Sequence, residues 1–211
     1  METVKKLDLV GMKLKRLHAL RCFPNVSRID ICINELVELD NLGSCPLLEE
    51  VICRANQLTS LKYVEIAKNL RRLDASENRI ASIGVQEPLP ALEYLNLNNN
   101  PLERLDGIEM FPGLTDLFLN NMRLDDLEPL AALPKLRVLG LYNTPVADYG
   151  ALARIKSLKH VLVPFVNEDE GWPVRERSRI DVDVEPLKRL APWARFHDLE
   201  EYSMADAGEL P

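Results

Sequence analysis

The side chains that most often catalyse reactions or bind metals are few and widely spaced in this sequence. Its histidines are His18, His160 and His197, and they are too scattered to supply the ligand set that a zinc site requires. The chain has no glycine-rich phosphate loop, nucleophile elbow or paired-carboxylate motif, which are common signatures of enzymatic sites. We therefore predict no catalytic residues, no metal and no cofactor, and we expect that the protein is not an enzyme.

Four cysteines are the remaining reactive side chains, namely Cys22, Cys32, Cys45 and Cys53. Their spacing contains no C-x-x-C pair and fits no zinc or redox motif. We interpret them as free thiols of a protein that resides in a reducing compartment. A disulfide between Cys22 and Cys45, which lie almost one repeat apart, is the alternative.

The charge of the chain limits the kinds of partner that it can bind. It has 26 basic and 33 acidic side chains and a formal net charge of -7, whereas nucleic-acid binding depends on clustered lysine and arginine. No apolar stretch reaches the roughly 18 residues of a transmembrane helix, and the N-terminus has no apolar signal-peptide segment. We therefore expect no nucleic-acid partner and no membrane partner. We expect a cytoplasmic location, with the nucleus as the alternative.

A repeat of 22 residues dominates the sequence. The segment that begins at Leu92 reads L-x-x-L-x-L-x-x-N-x-L. In-phase copies begin at Val4, Val26, Leu48, Leu70, Leu92, Leu114, Leu136 and Leu158. The alternation around positions four and six of each copy predicts a short strand with one buried face. One repeat cannot bury its own apolar face, so the copies must stack on one another.

Position nine of the repeat suggests how the chain bends after each strand. It is asparagine in four copies, as Asn34, Asn56, Asn78 and Asn100. A buried amide offers two donors and one acceptor, so it can satisfy backbone groups that the bend leaves unpaired. Further apolar residues follow at positions 11, 14, 17 and 20, and a spacing of three favours 3₁₀ or short helical turns behind the sheet.

These repeats resemble those of leucine-rich-repeat proteins. Their period and consensus are similar to the subtype in a regulatory subunit of type-one protein phosphatase, an axonemal dynein light chain and a spliceosomal leucine-rich-repeat protein. The resemblance implies an α/β horseshoe-shaped solenoid with a concave parallel sheet of about eight strands and short 3₁₀ or α turns on its convex side. It implies a partner protein but does not identify that partner.

The pattern predicts four segments along the chain. Residues 1–166 form eight repeats, and residues 167–183 form an inserted acidic loop that contains Trp172. Residues 184–203 form a degenerate repeat in which Trp193 and Phe196 replace the first two leucines. We expect this repeat to cap the core, and residues 204–211 to form a flexible tail.

Positions three, five, seven and eight of each repeat should line the concave face and its rim. In the N-terminal half these positions mix both charges, which predicts a solvated, self-neutralised surface. The C-terminal half gathers aromatic and apolar side chains with a rim of asparagines, a composition typical of protein interfaces. The predicted partner-binding residues are Tyr94, Asn98, Phe118, Asn120, Val138, Tyr142, His160, Leu162, Phe165 and Trp172. The alternative is that the loop around Trp172 folds back and covers this patch.

The sequence thus predicts a non-catalytic adaptor that binds a partner protein on its concave face. One alternative is a regulatory subunit of a protein phosphatase, which the resemblance implies. Another is a structural cytoskeletal or axonemal component, or a solenoid that self-assembles. The first strand has no visible cap, so we expect a monomer or weak self-association through that edge.

Overall fold

The computed structural model of this 211-residue chain describes residues 4–146, residues 148–162 and the backbone of residues 195–197. The predicted loop, the tail, the remainder of the capping repeat, Phe165 and Trp172 all lie outside the described residues. The role of residues 184–203 as a cap therefore stays a prediction.

Nine short strands form one open, curved and fully parallel sheet, and their order in space is their order in the sequence. They are β1 (Lys6–Asp8), β2 (Arg28–Asp30), β3 (Glu50–Ile52), β4 (Arg72–Asp74), β5 (Tyr94–Asn96), β6 (Asp116–Phe118), β7 (Val138–Gly140), β8 (His160–Leu162) and β9 (Arg195–His197). From β1 to β8 each strand pairs with the next at a step of 22 residues, as Leu7 with Ile29 shows. Phe196 of β9 pairs with Val161 of β8. This is the register expected if Phe196 replaces the second leucine of a repeat.

Short helices connect the strands on the opposite side of the core. They are His18–Cys22, Leu42–Ser44, Val64–Ile66, Ile108–Met110, Glu128–Ala132 and Gly150–Arg154. All six are 3₁₀ helices, the tighter of the two predicted types. The core lies between them and the sheet. It contains the central residue of each strand from β2 to β8, such as Leu95, and the second apolar series, such as Leu102, Leu105, Ile108 and Phe111.

The asparagines at position nine join neighbouring repeats, as the sequence predicts. The Nδ2 group of Asn78 donates to the carbonyl oxygens of Cys53 and Ala75 at 3.0 and 3.1 Å. Its Oδ1 accepts a hydrogen bond from the backbone N–H of Leu58 at 3.0 Å. Asn34, Asn56 and Asn100 make the equivalent bonds. In the repeat that begins at Leu136, position nine is Thr144. Its hydroxyl accepts a hydrogen bond from the backbone N–H of Met122 and donates one to the Leu119 carbonyl oxygen.

Position eight adopts the left-handed backbone conformation in seven consecutive repeats. The residues are Gly11, Ile33, Ala55, Glu77, Asn99, Asn121 and Asn143, with φ between +51° and +69°. This conformation costs an L-residue roughly 1–2 kcal/mol, and asparagine and glycine tolerate it best. Ile33 is therefore poorly suited to its position because its side chain is branched at Cβ.

We expect the substitution Ile33→Asn to raise the free energy of unfolding by about 1 kcal/mol, because it relieves this backbone strain. The Ile33 side chain is 64% exposed, so little packing is lost. Urea denaturation of the parent and the variant measures the difference. Val37→Asn is the matched control, because Val37 is a β-branched residue that is also exposed, at 53%, without positive φ. Equal effects of the two substitutions would contradict the strain argument.

Candidate functional site

The outer residues of each strand face the concave side, because they alternate with a central residue that points into the core. In the N-terminal half they form the predicted charge pairs. Arg28 Nη1 lies 2.8 Å from Glu50 Oε2, and Arg72 Nε lies 3.8 Å from Glu50 Oε1. These groups are partly exposed, so the pairs add little stability. Their effect is to fix the positions of the arginine side chains along the sheet.

Arg72 also begins a stack of side chains at the centre of the concave face. Its guanidinium carbon lies 4.1 Å from the centroid of the Tyr94 ring on the next strand. The Tyr94 and Phe118 rings follow with centroids 5.4 Å apart and a tilt of 44°. Both rings are half-buried. The charged half and the aromatic half predicted from the sequence therefore meet at the contact between Arg72 and Tyr94.

Two ionisable groups at this site, the Tyr94 phenol and the Asp116 carboxyl, have shifted pKa values. Burial and the nearby charge of Asp74 raise the pKa of Tyr94, although Arg72 opposes the change. Burial also raises the pKa of Asp116, against the effect of a hydrogen bond from the Thr115 hydroxyl and of the charge of Arg72. The Tyr94 phenol is therefore neutral at physiological pH and can act as a hydrogen-bond donor.

His160 and Asp116 are separated by a strand. The pairing order places Val138 between them, so the structure does not bring them together as an acid–base pair. The residues described contain no group of three or more histidine, cysteine, aspartate or glutamate side chains placed to hold a metal ion. Of the helices described, none is long and apolar enough to cross a membrane.

The predicted exposure of Val138 and Leu162 is wrong. Val138 is 0% exposed and Leu162 is 1% exposed. Both point away from the apolar core, on the side opposite to Leu139 and Val161, so they are covered from the concave side. The alternative in which the loop around Trp172 covers the patch stays a prediction, since that loop lies outside the described residues. Tyr94, Phe118, Tyr142 and His160 remain partly accessible.

The predicted role of Asn98 and Asn120 also needs correction. The Oδ1 atom of Asn98 accepts a hydrogen bond from the backbone N–H of Asn120 at 2.7 Å. Asn120 is buried, and its Oδ1 accepts from the backbone N–H of Tyr142 at 2.7 Å. These amide oxygens therefore bond the backbone of the next repeat, so the predicted contact with a partner would depend mainly on the amide nitrogens.

Position five of the preceding repeats explains why these asparagines are needed. Asp30, Asp74 and Asn96 each accept a hydrogen bond from the backbone N–H two residues later. Phe118 and Gly140 occupy the same position and carry no side-chain acceptor. The asparagine of the previous repeat supplies the acceptor instead. The sequence alone gives no clear signal for this exchange. Ile52 and Leu162 also lack a side-chain acceptor at position five, and the corresponding residues of the repeats before them are Cys32 and Tyr142 rather than asparagines.

All four cysteines are free thiols, as predicted, but their environments differ. Cys22 is exposed, Cys32 is half-buried, and Cys45 and Cys53 are buried. Burial and the adjacent Asp30 carboxylate raise the pKa of Cys32 to about 12, while a hydrogen bond from the backbone of Arg54 lowers it in part. Burial raises the pKa of Cys45 and Cys53 as well.

These environments predict which thiol reacts first. The thiolate is the reactive form, so we expect Ellman's reagent at mildly alkaline pH to modify Cys22 rapidly and Cys32 slowly, although Cys32 is partly accessible. The variant Cys22→Ser should lose the fast phase. The substitution Asp30→Asn should speed modification of Cys32, because it removes a neighbouring negative charge. Equal rates at Cys22 and Cys32 in the parent protein would contradict this assignment.

The repeat geometry agrees with a comparison of the sequence with protein families. Residues 68–110 match the family model described as leucine-rich repeats, two copies. The fold is a leucine-rich-repeat solenoid. No curated protein matches the sequence of this solenoid at a significant level.

Solved structures with the same fold come from several kinds of protein. An internalin C2 of Listeria monocytogenes is 20% identical, with a TM-score of 0.55, and the match covers 76% of this chain and 80% of that one. An internalin F of the same species is 18% identical, with a TM-score of 0.57 and coverages of 94% and 63%. TLR13, solved as a complex with ssRNA13, is 20% identical, with a TM-score of 0.65 and coverages of 78% and 26%.

At these identities the likeness concerns the fold alone. The solenoid described here spans 63% of the internalin F chain and 26% of the TLR13 chain. What those proteins bind is therefore a property of each of them. Recognition by this solenoid depends on the side chains of its own surface.

Proposed function

We propose that this protein is a non-catalytic recognition module that binds a partner protein at the centre of its concave face. Leucine-rich-repeat proteins in general act as protein-interaction modules. The observation that carries the proposal is the stack of Arg72, Tyr94 and Phe118 on the open side of the sheet.

The chemistry of the stack suits a protein ligand. Arginine and tyrosine are enriched among the residues that supply most of the binding energy of interfaces. The cation–π contact and the tilted ring contact hold the three side chains in place before binding, which lowers the entropic cost of association. Asp74, Asn96 and Asp116 surround the rings with polar groups.

We infer a partner segment that places an apolar side chain against the Tyr94 and Phe118 rings. Tyr142 and His160 extend the proposed surface toward the C-terminal end, and Phe165 and Trp172 stay predicted contributors. The net charge of -7 favours a protein over a nucleic acid as the partner. The phosphatase alternative and the assignment to the regulatory-subunit subtype rest on repeat length and consensus only.

Affinity capture from cell extract with quantitative mass spectrometry tests the proposal. The baits are the parent protein, Tyr94→Ala, Phe118→Ala and Tyr142→Ala. Ile66→Ser is the control, because Ile66 is an exposed apolar residue on a 3₁₀ helix of the convex side. We expect one set of proteins to be retained by the parent and the control and lost with the aromatic variants. For a purified partner, Phe118→Ala should weaken binding by about tenfold or more.

Circular dichroism would first establish that each variant is folded. If Tyr94→Ala and Phe118→Ala retain every protein that the parent retains, the concave centre is not the binding site.

A further inference from the structure

The first strand leaves a row of backbone groups without partners at the edge of the described sheet. The carbonyl oxygen of Lys5 accepts from the backbone N–H of Ser27 at 2.8 Å, and the N–H of Leu9 donates to Asp30 at 2.8 Å. Alternate residues of a strand direct their backbone groups to opposite sides. The N–H and C=O groups of Lys6 and Asp8 therefore point away from β2, and no backbone group of the described residues bonds them. Such an edge is a template for pairing with another strand.

The apolar side chains of the first repeat are also less buried than those of the second. Leu7 and Leu9 are only partly buried, whereas Ile29 and Ile31, their equivalents one repeat later, are fully buried. Met12 beside them is 59% exposed. The edge therefore combines unpaired backbone groups with apolar side chains, and a second layer of repeats would cover both.

The charges of two β1 strands are complementary when the strands run antiparallel to each other. Each strand reads Lys6-Leu7-Asp8, with a positive and a negative side chain on either side of a leucine. In an antiparallel pair centred on Leu7, Lys6 lies opposite Asp8 of the partner subunit. Residues directly opposite each other project to the same face of a sheet, so two pairs of opposite charge would form on the concave side.

The backbone groups fit the same arrangement. In antiparallel sheets, residues that face each other either exchange two hydrogen bonds or exchange none, in alternation. Lys6 and Asp8 have outward-facing N–H and C=O groups, and Leu7 does not. Antiparallel pairing about Leu7 would therefore satisfy all four outward groups of each β1 strand. It would also bring the two partly buried Leu7 side chains together on the core side.

We propose that two copies of this chain form a symmetric dimer by antiparallel pairing of β1 with β1, with the two-fold axis beside Leu7. The two sheets then continue into one another, and both concave faces lie on the same side. This proposal rests on β1 and its neighbours and is independent of the partner site around Tyr94.

Charge reversal tests the pairing directly. Lys6→Asp places two acidic residues opposite each other, and Asp8→Lys places two basic residues opposite each other, so neither variant should dimerise with itself. An equal mixture of the two variants restores opposite charges at both pairs. The double variant that carries Lys6→Asp and Asp8→Lys together restores them within a homodimer.

Light scattering over a concentration series, on the full chain, provides the measurement. The parent mass should rise toward twice the 24.0 kDa of one chain, and each single variant should stay at the monomer mass. The mixture and the double variant should both recover the dimer. High salt should weaken the association of the parent, since the charge pairs are exposed.

Two control variants carry the same charge changes elsewhere. Lys68→Asp reverses an exposed lysine. Asp126→Lys removes an aspartate whose Oδ1 accepts from a backbone N–H two residues later, as the Oδ1 of Asp8 does. Both controls should dimerise like the parent. A parent that stays monomeric throughout the series, single variants that dimerise as the parent does, or a mixture that stays monomeric would overturn the proposal.

Discussion

The substitution Asn78→Ala should lower the free energy of unfolding by about 3 kcal/mol. The Asn78 side chain is buried and bonds the carbonyl oxygens of Cys53 and Ala75 and the N–H of Leu58. Removing it leaves the Leu58 N–H unsatisfied inside the solenoid, and an unsatisfied buried group costs about 1–3 kcal/mol. Each carbonyl oxygen also loses one of its two donors, since Asn56 and Asn100 donate to Cys53 and Ala75 as well. Urea denaturation followed by circular dichroism measures the loss.

Asn69→Ala is the matched control for this experiment. Asn69 is exposed, and its amide makes one 2.8 Å hydrogen bond to the carbonyl oxygen of Pro46, so we expect a loss of no more than about 1 kcal/mol. The variant Asn78→Asp keeps an acceptor for Leu58, but it places a buried carboxylate oxygen against the carbonyl oxygens of Cys53 and Ala75. At neutral pH it should therefore destabilise at least as much as Asn78→Ala. Equal losses for Asn78→Ala and Asn69→Ala would show that the buried amides do not hold the repeats together.

Gly113→Ala should also be strongly destabilising, by about 3 kcal/mol. A Cβ atom at this position would overlap the backbone carbonyl oxygen of Pro90 and would lie 3.1 Å from that of Leu92. Both obstacles are main-chain atoms of the preceding turn, which no change of rotamer can move. The chain itself would have to shift where the fourth and fifth repeats meet.

Gly43→Ala separates this effect from the general cost of replacing glycine. A Cβ atom on Gly43 would overlap the Cγ2 atom of Ile66, but Ile66 is an exposed side chain and can rotate away. We expect a change within about 0.5 kcal/mol, as for most surface substitutions. A similar loss in both variants, measured by thermal or urea unfolding, would mean that the contact with Pro90 is not the cause.

The proposed binding surface could be predicted only in part. The alternation of apolar residues correctly placed Tyr94 and Phe118 on the concave side, because that pattern is local to each strand. It could not show that Arg72 stacks on Tyr94, since that contact depends on rotamers in neighbouring repeats. It also could not show that Val138 and Leu162 are covered, because the same concave positions are accessible in other repeats.

The sequence by itself determined the solenoid, its period of 22 residues, the register of the first eight strands and the buried amide series. These features follow from residue types repeated at a fixed spacing, and each repeat specifies its own strand, bend and core face. Only the tertiary structure decided that Asn98 and Asn120 bond the backbone of the next repeat, that Gly113 must lack a side chain, and which concave residues stay accessible. Those properties arise from contacts between residues of different repeats, and such contacts have no local pattern from which they could be predicted.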